Sequence, residues 1–264
     1  MLTNRIWLIL CVIMISLVVT RPALAGRIVV NNDEWAFTGT GYAQAGITNT
    51  DTLVRNIAAF LTGGSGRILI YSSDHGVSEA ECLATLDNAG YQITRDQSGA
   101  TSFDLATLST FDAIYLGGSG LYKDDEVLKR YVNGGGSVFL VAGTGVGGPV
   151  EEAARWNAFL NYFGLHLTPA YNQYTGTVGV IGNHVVFTGV NQIYYNNGNT
   201  ITLTEPGNPN ASIIEVSDSG YGLFGVYEQV STPEPQTISV LAGGLGVLVW
   251  MRWRRGWNSA SPRG

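Results

Sequence analysis

The chain has 264 residues, 45% of them hydrophobic and only 13% charged, with 35 glycines, two cysteines and a formal net charge of −6 at pH 7. So few cysteines exclude a disulfide-stapled scaffold, and the acid excess excludes the basic stripe that nucleic acid or an anionic lipid surface requires. This length can bury a sizeable core without a staple.

At the N-terminus, Arg5 precedes an uncharged run over 6–19, Arg21 and Pro22 end that run, and Ala23-Leu24-Ala25 puts small residues at alternate positions before Gly26. The pattern predicts a secretory signal peptide over 1–25, cut between Ala25 and Gly26. The exported portion is more acidic than the whole chain: of the twenty acids only Glu234 lies beyond Thr232, leaving nineteen against eight bases, or −11. Cys11 belongs to the signal segment, so Cys82 is the one thiol left; its place in an apolar helical pattern predicts a buried, inert group.

From Arg27 onward, short apolar runs bounded by turn residues predict buried parallel strands over 27–31, 67–71, 113–116 and 138–142. Helical periodicity fills the gaps. Residues 51–61 place Leu53, Ile57, Phe60 and Leu61 on one face, and Ser78 with Glu81 reads as a capping box opening a helix over 78–89. Two more helices are predicted over 123–133 and 150–163, each followed by glycine. Such alternation means a parallel α/β sheet with helices on both faces. After Gly164, segments 178–181, 200–203, 212–216 and 223–227, rich in β-branched and aromatic residues, predict finishing strands of the same 26–230 domain.

Residues 231–237 form a linker around Pro233-Glu234-Pro235. Beyond it, 238–251 is uncharged and Arg252, Arg254 and Arg255 follow. Fourteen helical residues span roughly 21 Å of a hydrocarbon core about 30 Å thick, a short span that Trp250 and Trp253 at headgroup level and snorkelling arginines can complete. This predicts a single transmembrane helix over 238–253 and a basic cytoplasmic tail over 254–264, with the preceding domain on the far side of the inner membrane. The order proline pair, span, basic run resembles a PEP-CTERM sorting signal. That resemblance implies an exosortase-like processing enzyme as partner, passage through the inner membrane, and an envelope or extracellular destination among exopolysaccharide. The opening Val29-Val30-Asn31-Asn32-Asp33-Glu34-Trp35, with Gly39-Thr40-Gly41-Tyr42, is similar to the start of other exported proteins of this kind.

A second resemblance rests on Phe111-Asp112-Ala113-Ile114-Tyr115-Leu116-Gly117-Gly118, the helix with Val127, Tyr131 and Val132, Gly134-Gly135-Gly136, and His184-Val185-Val186-Phe187-Thr188-Gly189-Val190. Over about 67–227 the chain resembles the class I glutamine amidotransferase-like superfamily, in its trehalose-utilisation-like branch, which implies a flavodoxin-like sheet. The nucleophilic cysteine of those enzymes is absent: the glycine-rich turn over 142–147 carries Thr144 instead. Neither Gly63-Gly64-Ser65-Gly66-Arg67 nor Gly117-Gly118-Ser119-Gly120-Leu121 completes a hydrolase elbow. Gly143, Gly145 and Gly148 match the dinucleotide spacing with no ribose-binding acid some twenty residues on, and no metal-ligand pattern occurs, so neither cofactor nor metal is expected.

In a doubly wound sheet ligands bind at the carboxyl ends of the strands, which here carry Asp33 and Glu34, then Asp74 and His75, then Ser119, then Thr144. Asp74-His75 is a candidate acid/base pair, His184 a further candidate, and Trp35, Tyr42, Tyr171, Tyr174, Tyr194 and Tyr195 candidate sugar-stacking aromatics. Two functions remain expected: a non-catalytic envelope protein associated with exopolysaccharide, or a secreted hydrolase acting on glycans through Asp33, Glu34, Asp74 and His75.

Overall fold

In the computed structural model residues 25–229 are described, apart from Ser119 and Val146. Ala25 and Gly26 are within that span; the rest of the expected signal segment, Pro233, Glu234 and Pro235, the 238–253 span and the arginine tail lie outside the described residues. Among the described residues no helix is long and apolar enough to cross a membrane.

The first half alternates as expected: β1 (Arg27–Asn31), α1 (Gly39–Ala45), α2 (Ile47–Thr62), β2 (Arg67–Ser72), α3 (Ala80–Asn88), β3 (Gln92–Asp96), α4 (Leu105–Leu108), β4 (Ala113–Gly117), α5 (Asp125–Asn133), β5 (Ser137–Val141) and α6 (Gly148–Leu160). Strands dominate thereafter: β6 (Leu165–Tyr171), β7 (Thr175–Gly179), β8 (Gln192–Asn196), β9 (Asn199–Leu203), β10 (Ala211–Val216) and β11 (Gly222–Glu228). The main sheet has seven strands in the order β10-β11-β1-β5-β4-β2-β3. From β1 to β3 its strands are all parallel, while β11 and β10 add on antiparallel. Pairs β6-β9 and β7-β8 form separate two-stranded ribbons, so only half of the expected finishing strands complete the main sheet.

Successive side chains of a strand point to opposite faces, and the two halves of the core follow that rule. Val29, Ile68, Ile70, Tyr115 and Phe139 pack against α2 and α3 through Leu53, Ile57, Cys82 and Leu86. Their neighbours Ile28, Val30, Leu69, Ile114 and Leu140 pack against α5 and α6 through Leu128, Val132, Trp156 and Leu160. Both faces are thus covered, which is why these strands read as unbroken apolar runs.

One local expectation is corrected. The capping box at Ser78 does not form: the residue preceding α3 is Glu79, which makes no side-chain cap, and the Ser78 hydroxyl instead donates to the Asp74 carbonyl. Strand β3 is not among the expected strands: it carries only one apolar residue, Ile93, because it is the edge strand and most of its side chains meet solvent.

Register fixes which end is which. Arg27 opposes Glu228 and Ser137, so β1 and β5 begin where β11 ends, at the amino edge of the parallel strands. There Gly26 and Gln229 exchange hydrogen bonds, of 3.2 and 2.9 Å. A side chain on Gly26 would overlap the Val132 carbonyl, so only glycine fits beside α5 at this point.

Candidate functional site

The carboxyl edge is built around the loop leaving β1. Asn31 accepts the Asp33 N–H at 2.7 Å through its side-chain oxygen, an Asx turn that halts the strand. The loop is fastened on both sides: Asn32 donates to the Leu223 carbonyl at 3.1 Å and Glu34 to the Ala142 carbonyl at 2.7 Å. Asp33 then caps a single 3-10 turn. Its Oδ1 accepts the Trp35 N–H at 3.0 Å and its Oδ2 accepts the Asn196 N–H at the end of β8. One carboxylate therefore joins the first loop of the domain to a hairpin more than 160 residues later.

Three more acids converge on this point. Glu34 is 4% exposed, Glu152 of α6 is 3% exposed, and Asp74 follows β2. Glu152 accepts both the N–H and the hydroxyl of Thr144 through Oε1, each at 3.1 Å. Its Oε2 and the Oδ2 of Asp74 are buried with no hydrogen-bond partner. Gly118, at φ +73°, passes so close to Asp74 that any side chain there would overlap its carboxylate.

Burial without a counter-charge sets the electrostatics. Glu34 is raised from 4.5 to about 8, first by desolvation and then by Asp74, Asp33 and Glu152. Asp33 is raised from 3.8 to about 7 by desolvation, against the pull of the Asn196 and Trp35 amides and with a smaller push from Glu152. Glu152 is raised for the same reason, with the two Thr144 donors opposing. Asp33 and Glu34 thus exchange protons near neutrality and can act as acids or bases where a substrate reaches them.

Of the residues singled out from sequence, Asp33, Glu34 and Asp74 do converge, and Thr144 joins them through Glu152. The Thr144 hydroxyl donates to that carboxylate. The Thr144 amide, which a nucleotide phosphate would need, faces the same acid. His75 stands beside Asp74 with its side chain 73% exposed and its Nδ1 3.3 Å from Glu79, so the expected Asp74-His75 pair is not formed. His184 is at the wrong edge. It packs on Phe60, caps a 3-10 turn through Val186 and lies 3.4 Å from Glu228, all at the amino edge. The length of β1, roughly 13 Å at 3.3 Å per residue, separates it from the acids. Tyr195 is fully buried and cannot stack on a ligand, and Tyr42 is a core residue with only 4% of its surface exposed.

Glu152 was missed by sequence reasoning, although a signal existed: it falls one turn before Trp156 on the face that also holds Ala153 and Leu160, where a carboxyl must be buried. Two clefts open nearby. One, of about 390 Å³, reaches Asp74, His75, Glu79 and Arg95; the other, of about 340 Å³, lies between α2 and α3 at Tyr42, Asp51, Arg55 and Glu81. Among the described residues no cluster of three or more His, Cys, Asp or Glu side chains has the geometry to hold a metal.

No family model matches the chain, and no curated protein matches it. Among solved structures, that of IMPa from Pseudomonas aeruginosa in complex with an O-glycopeptide is similar at 17% identity and a TM-score of 0.32, over 45% of this chain and 14% of that chain.

Proposed function

We propose that the chain is an exported envelope protein, sorted through its C-terminal segment by an exosortase-like enzyme and non-catalytic at its destination, where it associates with exopolysaccharide or another matrix component. The address rests on Pro233-Glu234-Pro235, the uncharged 238–251 stretch and the three arginines that follow. The non-catalytic reading is carried by one observation: two of the four acids at the carboxyl edge, Asp33 and Glu152, are occupied in holding loops. Asp33 binds two backbone amides and Glu152 binds Thr144, while neither His75 nor His184 is positioned as their base.

The domain itself is read as flavodoxin-like. Its parallel order β3-β2-β4-β5-β1 equals the flavodoxin order 2-1-3-4-5 when β1, first in the chain, takes the fifth place. That arrangement suits an amidotransferase-like ancestry with the active cysteine lost. Gln229, the last described residue, stands at the edge opposite the acids.

Replacing Pro233-Glu234-Pro235 by alanines in the native host should leave full-length protein in the inner membrane; unchanged processing would refute the sorting reading. A second reading, a glycan hydrolase, is favoured by Glu34, which burial beside Asp74 keeps protonated at neutral pH. Turnover of envelope polysaccharide by the wild type that disappears in Glu34→Gln would establish it and overturn the non-catalytic one.

A further inference from the structure

The larger cleft opens at the carboxyl ends of β2 and β3, the last two strands at this side of the sheet, against the start of α3. Its volume of about 390 Å³ falls within the range of roughly 300–1,000 Å³ usual for small-molecule sites.

The lining alternates acceptors with donors. Glu79 is anchored by accepting the Gly39 N–H at 3.0 Å, which leaves its other oxygen toward His75. Asp74 is pressed against Gly118. Facing these two acceptors, Arg95 makes no ion pair among the described residues, and Gln97 is held through its amide nitrogen by Ser78 at 3.4 Å. Ala80 and Leu83 supply an apolar floor.

A phosphate would meet two carboxylates here, and an apolar ligand would strand four polar groups. A sugar satisfies both sets. Each hydroxyl of a vicinal diol donates to a carboxylate while accepting from a guanidinium or amide, and the C–H face of the ring covers the floor.

We propose that this cleft binds a neutral saccharide unit of a longer glycan, with Asp74, Glu79, Arg95 and Gln97 gripping the hydroxyls of one ring. The assignment rests on the glycan-associated reading above and names its site. Arg95 and Gln97 are exposed, so their removal leaves the fold intact.

The test is calorimetric titration of the full-length chain in detergent with glucose, galactose and cellobiose, and separately with inorganic phosphate and glycine. The expected result is sugar binding that Arg95→Ala and Gln97→Ala each weaken about tenfold, the cost of one charge-assisted or well-placed hydrogen bond. Arg55→Ala in the other cleft should leave sugar binding unchanged. Absence of binding by all three sugars, preference for phosphate or glycine, or equal binding by the Arg95 and Gln97 variants would overturn the assignment. A parallel pull-down with the host's matrix polysaccharide separates the two levels. Equal retention of wild type and Arg95→Ala removes this site but leaves glycan association standing, whereas no retention of the wild type removes both.

Discussion

The carboxyl edge concentrates its chemistry in Asp33 and Glu34, whose proton affinities link this site to stability. Both bind protons more tightly in the fold than in the unfolded chain, at about 7 against 3.8 and about 8 against 4.5. Their contribution is therefore fully present below about pH 4 and is lost as pH rises through 7 and 8. Asp96 has the opposite sign. Burial raises it, but Thr101 and Ser98 donors outweigh that and hold it well below the usual carboxylate range, so its contribution is lost only in strong acid. Thermal unfolding should accordingly show a lower Tm at pH 9 than at pH 6, by on the order of 6 °C for about 2 kcal/mol. Glu34→Gln, uncharged at every pH, should flatten that slope; a wild-type Tm that climbs toward pH 9 contradicts the assignment. Asp33→Asn should cost about 1–3 kcal/mol in denaturant titration, because an amide nitrogen would then oppose either the Trp35 or the Asn196 N–H. Cys82, buried and pushed up to about 12 by desolvation, should react with a thiol reagent only as fast as the protein unfolds.

Among the elements, those whose whole environment is apolar were legible and those at boundaries were not. Strands β1, β2, β4 and β5 are covered on both faces, so their hydrophobic runs announce them; β3, at the edge, writes no such run. The ends of helices depend on single hydrogen bonds. Ser78 and Glu81 have the right spacing for a capping box, yet the Asp74 carbonyl takes the Ser78 hydroxyl first, and that competition is tertiary. At α5 the local signal does prevail: Asp124 accepts the Glu126 and Val127 amides at 2.9 and 3.1 Å. Asp124→Ala should cost about 1 kcal/mol by chemical denaturation. Asp33, Glu34 and Asp74 could be placed from the rule that parallel strands gather their carboxyl ends. His184 could not, because only the β1-β11 register, across some two hundred residues, shows that its neighbour Glu228 stands at the other edge.

At the scale of the molecule, two faces of apolar side chains fix a seven-stranded sheet, and its two edges divide the labour. The amino edge ties Gly26 to Gln229, so the ends of the domain meet there. At the carboxyl edge lie the buried acids and, beside them, the cleft with Arg95 and Gln97. The exported, matrix-associated role proposed above would place its weight on the terminal segments for address and on this edge for contact. The most direct measurement is the intact mass of the protein recovered from the envelope of the native host. Processing at both ends predicts a species that begins at Gly26 and ends before the 238–253 segment; a species that retains Met1 or extends to Gly264 would contradict it.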